Sequence, residues 1–230
     1  MAITATRDAL SRIFSQRCFW LFFVLVALIG AVSFVPVSDR GRLIVNGVNI
    51  FLLIATVAAV GRTTISFVIV LLLAAPAVWF QYLGLVHDSD ADLAWSWMFC
   101  AVLYSATTAY LLRYVFRPKV MTEDKLFGAA SAYLMLGVLW AYLYAIVGYF
   151  YPQSYVVLGQ PGQLAYADAL YLSMTVLTST GFGDVSPLTR QARGICMIEQ
   201  IAGALFVAIL IARLAGVYPA RERYIDDGKP

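Results

Sequence analysis

Residues 178–184 read TSTGFGD, and this short stretch decides the fold of the chain. Gly181 and Gly183 alternate with a single aromatic residue, and glycine adopts backbone angles that other residues avoid. The carbonyl groups of successive residues can therefore be turned to the same side. A row of such carbonyls, repeated around a symmetry axis, can replace the water shell of a monovalent cation.

The segments on either side of this stretch differ in length. Tyr166–Thr178 predicts a short helix, whereas Gln191–Val217 predicts a helix long enough to cross a membrane. A spanning helix needs about 20 apolar residues, which only the second segment provides. A short helix, a glycine loop and a full span in this order are the layout of a pore.

Composition indicates an integral membrane protein. Of the 230 residues, 62% are hydrophobic and 13% are charged, against about 25% charged in soluble domains. The charge distribution gives no indication of nucleic-acid binding. Neither a disulfide framework nor a metal site or cofactor site is predicted, because the cysteines lie in apolar runs and the single histidine has no ligand cluster around it: Cys18, Cys100, Cys196 and His87.

The apolar runs predict an all-α membrane protein with six transmembrane helices. The predicted spans are Cys18–Val35, Leu43–Val60, Thr63–Val86, Leu93–Phe116, Leu126–Tyr151 and Gln191–Val217. When the N-terminus is placed inside, most Lys and Arg residues fall on the cytoplasmic side of these spans. We therefore expect a multi-pass protein of the cell (inner) membrane with both termini in the cytoplasm.

The turn at Pro118 separates two predicted domains. Residues 1–117 form a four-helix peripheral region, and residues 118–230 form a pore domain with a short tail. The peripheral region occupies the position of a voltage sensor, but its fourth span contains only Arg113, whereas sensors need several arginines at every third residue. Steep voltage gating is therefore not expected. Only thirteen residues follow Val217, so we expect no cytosolic regulatory domain, and the gating stimulus stays open.

The segment Leu170–Asp184 resembles the pore helix and selectivity filter of the potassium-channel superfamily, whose filter reads Thr-Val-Gly-Tyr-Gly-Asp. Val115–Tyr144 and Ile198–Val217 resemble the two helices of bacterial ion-channel proteins with a one-pore, two-helix pore domain. The resemblance implies a re-entrant pore helix and filter between the fifth and sixth spans. It also implies a homotetramer, because each chain carries one filter loop, and a cation channel rather than an enzyme.

By this resemblance, five residues line the filter and bind potassium, the permeant ligand: Ser179, Thr180, Gly181, Phe182 and Gly183. Ser179 stands where the family has threonine, Thr180 where it has an apolar residue, and Phe182 where it has tyrosine. The Thr180 side chain would point towards the pore helix, where its hydroxyl needs a partner. These departures leave two alternatives open, a less selective monovalent cation channel and a protein resembling potassium-uptake transporters.

Two acids near the filter have predicted positions. Four copies of Asp184 would form a negative ring at the outer mouth, which raises the local cation concentration. Many relatives pair this acid with another on the pore helix, but here that position is Thr175, so the pair cannot form. Asp168 lies in the first turn of the short helix, where a carboxylate meets the helix dipole favourably.

Glu199 is the one acid deep inside a predicted span, and three interpretations stay open for it. It would face the cavity, or brace the filter from behind through Thr175 or Thr178, or make a helix-to-helix polar contact with no special role. Gly203 lies 19 residues after Asp184, where the family has its hinge glycine. Gly203 is therefore a candidate gating hinge, or a small residue that permits close helix packing.

Overall fold

The computed structural model describes residues 17–34, 41, 44, 47, 51, 64–87, 89–117, 122–162 and 164–217. These residues are mostly helical. In chain order the elements are α1 (Arg17–Ser33), α2 (Thr64–His87), α3 (Asp90–Val115), α4 (Glu123–Phe150), β1 (Tyr155–Val157), β2 (Gln160–Gly162), α5 (Tyr166–Leu177), β3 (Val185–Pro187) and α6 (Arg190–Val217).

Three described helices are long and apolar enough to cross a membrane, namely α3, α4 and α6. They correspond to the fourth, fifth and sixth predicted spans. The first and third predicted spans coincide with α1 and α2, in which the apolar stretches are shorter, Cys18–Ser33 and Leu71–Gly84. The second predicted span, Leu43–Val60, lies outside the described residues except for single helical positions.

The turn between α3 and α4 is closed by local hydrogen bonds. The Thr122 hydroxyl accepts a hydrogen bond from the Lys125 amide and caps α4, and Glu123 and Asp124 lie in its first turn. The Tyr114 hydroxyl on α3 donates to Asp124 over 2.5 Å. These contacts fix the two helices against each other where the chain reverses.

Helix α4 is the centre of the described fold. It packs against α1, α3, α5 and α6, and α2 reaches the rest of the fold through α3. Small residues let its neighbours approach closely: a Cβ at Gly128 would touch Cys18 on α1, and a Cβ at Gly137 would overlap the end of the Met174 side chain on α5. The face of α4 that carries Gly137 is therefore fitted to α5.

A small antiparallel sheet corrects the prediction of an all-helical chain. Its strand order is β2-β1-β3, with Tyr155 opposite Gly162 in one pair and opposite Pro187 in the other. Each strand has only three residues, and two of them contain proline, so no alternating pattern signals them in the sequence. The sheet ties the chain after α4 to the chain that leads into α6.

Candidate functional site

Helix α5 sits between α4 and α6 and packs against both. Its 12 residues extend about 18 Å, which is well short of a hydrocarbon layer of about 30 Å. Asp168 lies in its first turn, as predicted, and the side chains that face the neighbouring helices are buried. The helix therefore ends within the fold, and the 178–184 loop that follows it is exposed.

The backbone of the 178–184 loop alternates in handedness. The φ angle is positive at Ser179 (57°), Gly181 (56°) and Gly183 (84°), and it is not positive at Thr180 or Phe182 between them. Alternation of this kind turns successive peptide planes so that their carbonyls can face one side. Ser179 is one of the few described residues other than glycine that adopts a left-handed conformation, which is uncommon for a non-glycine residue.

The amide groups of the loop are tied back to α5. The Thr180 and Gly181 amides both donate to the Thr175 carbonyl, at 2.8 and 3.2 Å, and the Ser179 amide donates to Val176 at 2.9 Å. In the described part of the chain, no hydrogen bond is made to the carbonyl oxygens of residues 179–183. The amides of residues 179–181 are thus used internally while the carbonyls of residues 179–183 stay free, and free carbonyls of this kind can coordinate a cation.

The outer end of the loop is held by an aromatic residue of α5. Phe182, which is 71% exposed, stacks on Tyr171 with ring centroids 6.4 Å apart and planes 11° from parallel. The Tyr171 hydroxyl lies 3.0 and 2.8 Å from the two carboxylate oxygens of Asp184. Tyr171 was not among the predicted site residues, although it lies one turn before Thr175 on α5.

The threonine hydroxyls near the loop bond locally. The Thr178 hydroxyl donates to the Met174 carbonyl at 2.7 Å and lies 2.8 Å from the Thr180 hydroxyl. Thr180 therefore has the partner that its predicted orientation requires. The Thr175 hydroxyl donates to the Leu172 carbonyl of its own helix at 2.9 Å.

Glu199 is fully buried, and its partners differ from the predicted ones. Its Oε1 lies 2.5 Å from the Ser173 hydroxyl of α5, and its Oε2 accepts a hydrogen bond from the Tyr144 hydroxyl of α4. Contacts of Glu199 with Thr175 or Thr178, which one of the three interpretations expects, are not present here, because both hydroxyls donate to carbonyls of α5 itself. Ser173 and Tyr144 were missed, since neither has a distinctive sequence signal.

Gly203 lies one turn after Glu199, against the last residue of α5. A Cβ at this position would overlap the Leu177 carbonyl oxygen, which also accepts a hydrogen bond from the Tyr133 hydroxyl at 2.9 Å. The space at Gly203 is therefore used for close packing between α6 and α5. Its role as a hinge stays a prediction.

Two titratable side chains of α5, Asp168 and Tyr171, are affected by the carboxylate of Asp184. Partial burial raises the pKa of the Asp168 carboxyl, and the negative charge of Asp184 raises it further. The hydrogen bond to Asp184 raises the pKa of the exposed Tyr171 hydroxyl. Among the described residues, no group of three or more His, Cys, Asp and Glu side chains is placed to hold a metal ion. The carbonyls of residues 179–183 accept no hydrogen bond within the described residues.

Comparison with known proteins gives one match. A family model described as an ion channel matches residues 97–218, which is more than half of the chain. The matched region begins within α3 and includes α4, the sheet, α5, the 178–184 loop and α6. No curated protein and no solved structure matches the chain.

Proposed function

Because the chain belongs to the ion channel family, in the two-helix pore group of the potassium-channel superfamily, we propose that it forms a homotetrameric, potassium-selective channel. The alternating φ angles of residues 179–183, with their carbonyls free, carry this proposal. One chain offers one row of carbonyls, and four rows around a symmetry axis surround a dehydrated cation.

In this channel α5 is the re-entrant pore helix and residues 179–183 are the selectivity filter. Potassium binds to the carbonyls of Ser179, Thr180, Gly181 and Phe182 on its way through, and the Ser179 hydroxyl closes the inner end. Four copies of Asp184 form the outer mouth. Potassium is the permeant ligand, and we propose no further cofactor.

The burial of Glu199 favours a brace behind the filter over a ring in the cavity. A side chain that lines a cavity shared by four subunits has to be exposed in one subunit taken alone. Residues 178–184 meet this condition, whereas Glu199 does not. Glu199 also contacts Ser173 on the pore helix, so its effect on the filter passes through that helix.

Residues 1–117 are proposed as a peripheral region that does not sense voltage steeply. Within its described part, α3 packs along α4, so the region can support the pore domain directly. The excess of Lys and Arg on one side supports an inner-membrane protein with cytoplasmic termini. The outer mouth then faces away from the cytoplasm.

Ion selectivity is tested by reversal potentials in planar bilayers with potassium on one side and sodium on the other. A potassium-selective channel gives a reversal potential near the potassium equilibrium value. A value near zero identifies the less selective cation channel, and absence of any single-channel current in the wild type rejects the channel function.

Gly181→Ala tests whether residues 179–183 form the conduction path. Alanine at a φ of 56° is strained, so we expect the variant to assemble but not to conduct. Gly194→Ala is the matched control, because Gly194 lies in α6 with open space around it and should conduct like the wild type.

A further inference from the structure

The carboxyl group of Glu199 lies where three helices meet. Glu199 itself is on α6, Tyr144 and the Gly137 carbonyl are on α4, and Ser173 is on α5. Glu199 and Ser173 are both 0% exposed. We call Tyr144, Ser173 and Glu199, together with the Gly137 carbonyl, the carboxyl cluster.

The hydroxyl of Ser173 makes two close contacts with oxygen atoms. Its Oγ lies 2.5 Å from Oε1 of Glu199 and 2.7 Å from the carbonyl oxygen of Gly137. A serine hydroxyl has one proton, so it can donate to only one of these atoms. If Glu199 were a carboxylate, both neighbours would be acceptors, and one of the two contacts would contain no proton.

A proton on Oε1 of Glu199 satisfies every contact in the cluster. The carboxylic acid then donates to Ser173, Ser173 donates to the Gly137 carbonyl, and Tyr144 donates to Oε2 of Glu199. Each short contact contains one proton. This count of protons favours the neutral acid, which satisfies all three contacts with the side chains where they are.

The charges around Glu199 point to the same state. The titratable groups that face it are Tyr133 and Tyr144 from α4, Tyr155 from β1 and Cys196 from α6, while α5 contributes the neutral Ser173. None of these described groups is a cation. An isolated carboxylate without a positive partner is costly to bury, and a buried acid of this kind stays protonated.

We propose that Glu199 acts as an uncharged carboxylic acid, held by Tyr144 and Ser173, and that its proton keeps the pore helix in the position that supports conduction. The proposal rests on the channel function proposed above. Ser173 lies six residues before Ser179 in the same helix and loop, so a displacement of α5 reaches the first filter residue. Tyr144, Ser173 and Glu199 are positioning residues, because none of them touches the permeant ion.

Three variants of the cluster separate the proton from the charge. Glu199→Gln keeps an acceptor for Tyr144 and a donor for Ser173, so it imitates the neutral acid. Glu199→Asp keeps the ionisable group but shortens the reach to both partners. Ser173→Ala removes the hydroxyl through which Glu199 contacts α5. Glu123→Gln, at an exposed acid in the first turn of α4, is the matched control.

The first readout is open probability in bilayers as the pH is raised on both sides. We expect the wild type and Glu123→Gln to lose open probability at alkaline pH, with unchanged unitary current, because the cluster loses its proton. Glu199→Gln should keep its open probability over the same range. Glu199→Asp and Ser173→Ala should open about tenfold less at every pH, as expected for a lost buried hydrogen bond.

The second readout is independent of conduction. The infrared spectrum of the purified wild-type protein should contain the carbonyl stretch of a buried, protonated carboxylic acid, and Glu199→Gln should lack this band. A wild-type protein that conducts no ions would reject the channel function, while the infrared band would still decide the protonation state.

Three results would overturn the proposal. The first is absence of the acid band from the wild-type spectrum. The second is an identical loss of activity at alkaline pH in the wild type and in Glu199→Gln. The third is normal gating in Glu199→Asp together with a silent Glu199→Gln channel, which would show that the negative charge is the required feature.

Discussion

At position 182 the chain has phenylalanine, so the proposed filter lacks the hydroxyl that a tyrosine would bring. Tyr171 on α5 provides one instead: its ring stacks on Phe182 and its hydroxyl reaches both carboxylate oxygens of Asp184. Many relatives pair the acid at this position with a second acid on the pore helix, where this chain has Thr175. Here the Tyr171 hydroxyl is the α5 group that contacts Asp184. One tyrosine thus connects the pore helix to the outer end of the proposed filter.

Tyr171→Phe keeps the stacked ring but removes the hydroxyl that contacts both carboxylate oxygens of Asp184. We expect an unchanged reversal potential and a lower open probability, by roughly three- to tenfold, because a hydrogen bond to a charged group is worth about 1 kcal/mol or more. Single-channel recording measures both quantities. Tyr149→Phe, at an exposed tyrosine of α4, is the control, and equal open probabilities in the two variants would contradict the assigned role.

We expect Asp168 to make the proposed outer mouth sensitive to pH. Its pKa is raised by partial burial and by the charge of Asp184, so on acidification it binds a proton before an ordinary aspartate does. Protonation removes negative charge near the mouth and lowers the local potassium concentration. We therefore expect unitary current to fall as the pH outside is lowered, most clearly at low ionic strength.

Asp168→Asn tests this assignment. The variant should have a smaller unitary current at neutral pH. It should also lack the fall in current that protonation of Asp168 causes when the outside pH is lowered. Measurement of unitary current at several outside pH values decides the question. A pH profile equal to that of the wild type would exclude Asp168 as the titrating group.

The C-terminal end of α5 is held by both of the helices beside it. The Leu177 carbonyl at its C-terminal end accepts a hydrogen bond from Tyr133 on α4 and lies against Gly203 on α6. A side chain at position 203 has no room, because the atoms in its way belong to the α5 backbone. The end of α5, where the proposed filter begins, is thus fixed from both sides.

Gly203→Ala should push α6 away from the end of α5. Overpacking of this kind costs about 1–3 kcal/mol, so we expect a lower thermal midpoint in detergent together with loss of conduction. Gly194→Ala, with open space around it on the same helix, should leave both unchanged. A hinge role alone would change gating and leave the thermal midpoint at the wild-type value.

The elements differ in how far the sequence alone predicts them. The long apolar runs predict α4 and α6, and the glycine loop at residues 178–184 predicts where α5 ends. The sheet has three-residue strands without a pattern, and it forms only because α4 and α6 bring β1 and β3 together. The carboxyl cluster could not be predicted for a similar reason, because the partners of Glu199 lie on two other helices.

For the whole molecule, the arrangement of the helices decides what the peripheral region can do. Helix α3 packs along α4, and the Arg213 guanidinium of α6 donates to the Arg117 carbonyl just after α3, at 2.7 Å. The end of α6 is therefore in contact with the end of α3. Movements of the peripheral region can reach the pore domain through this contact as well as through α4.

We expect voltage to be a weak source of such movement. A voltage-gated channel moves 3–4 charges per subunit through the membrane field, with each charge contributing about 2.3 kcal/mol per 100 mV. Arg113 is the single basic residue of helix α3, and it is exposed in the last turn, near the edge of any membrane that the helix crosses. One charge at the edge of the field crosses little of it, so its coupling to voltage is weak.

We therefore expect a shallow conductance–voltage curve, and we expect Arg113→Gln to leave its slope unchanged. Single-channel recordings in symmetrical potassium over a wide voltage range provide the measurement, with the unitary current used to remove any voltage dependence that arises from ions in the filter. A steep curve that Arg113→Gln flattens would mean that α3 senses voltage after all. A steep curve that the substitution does not change would place the sensing charges elsewhere in the chain.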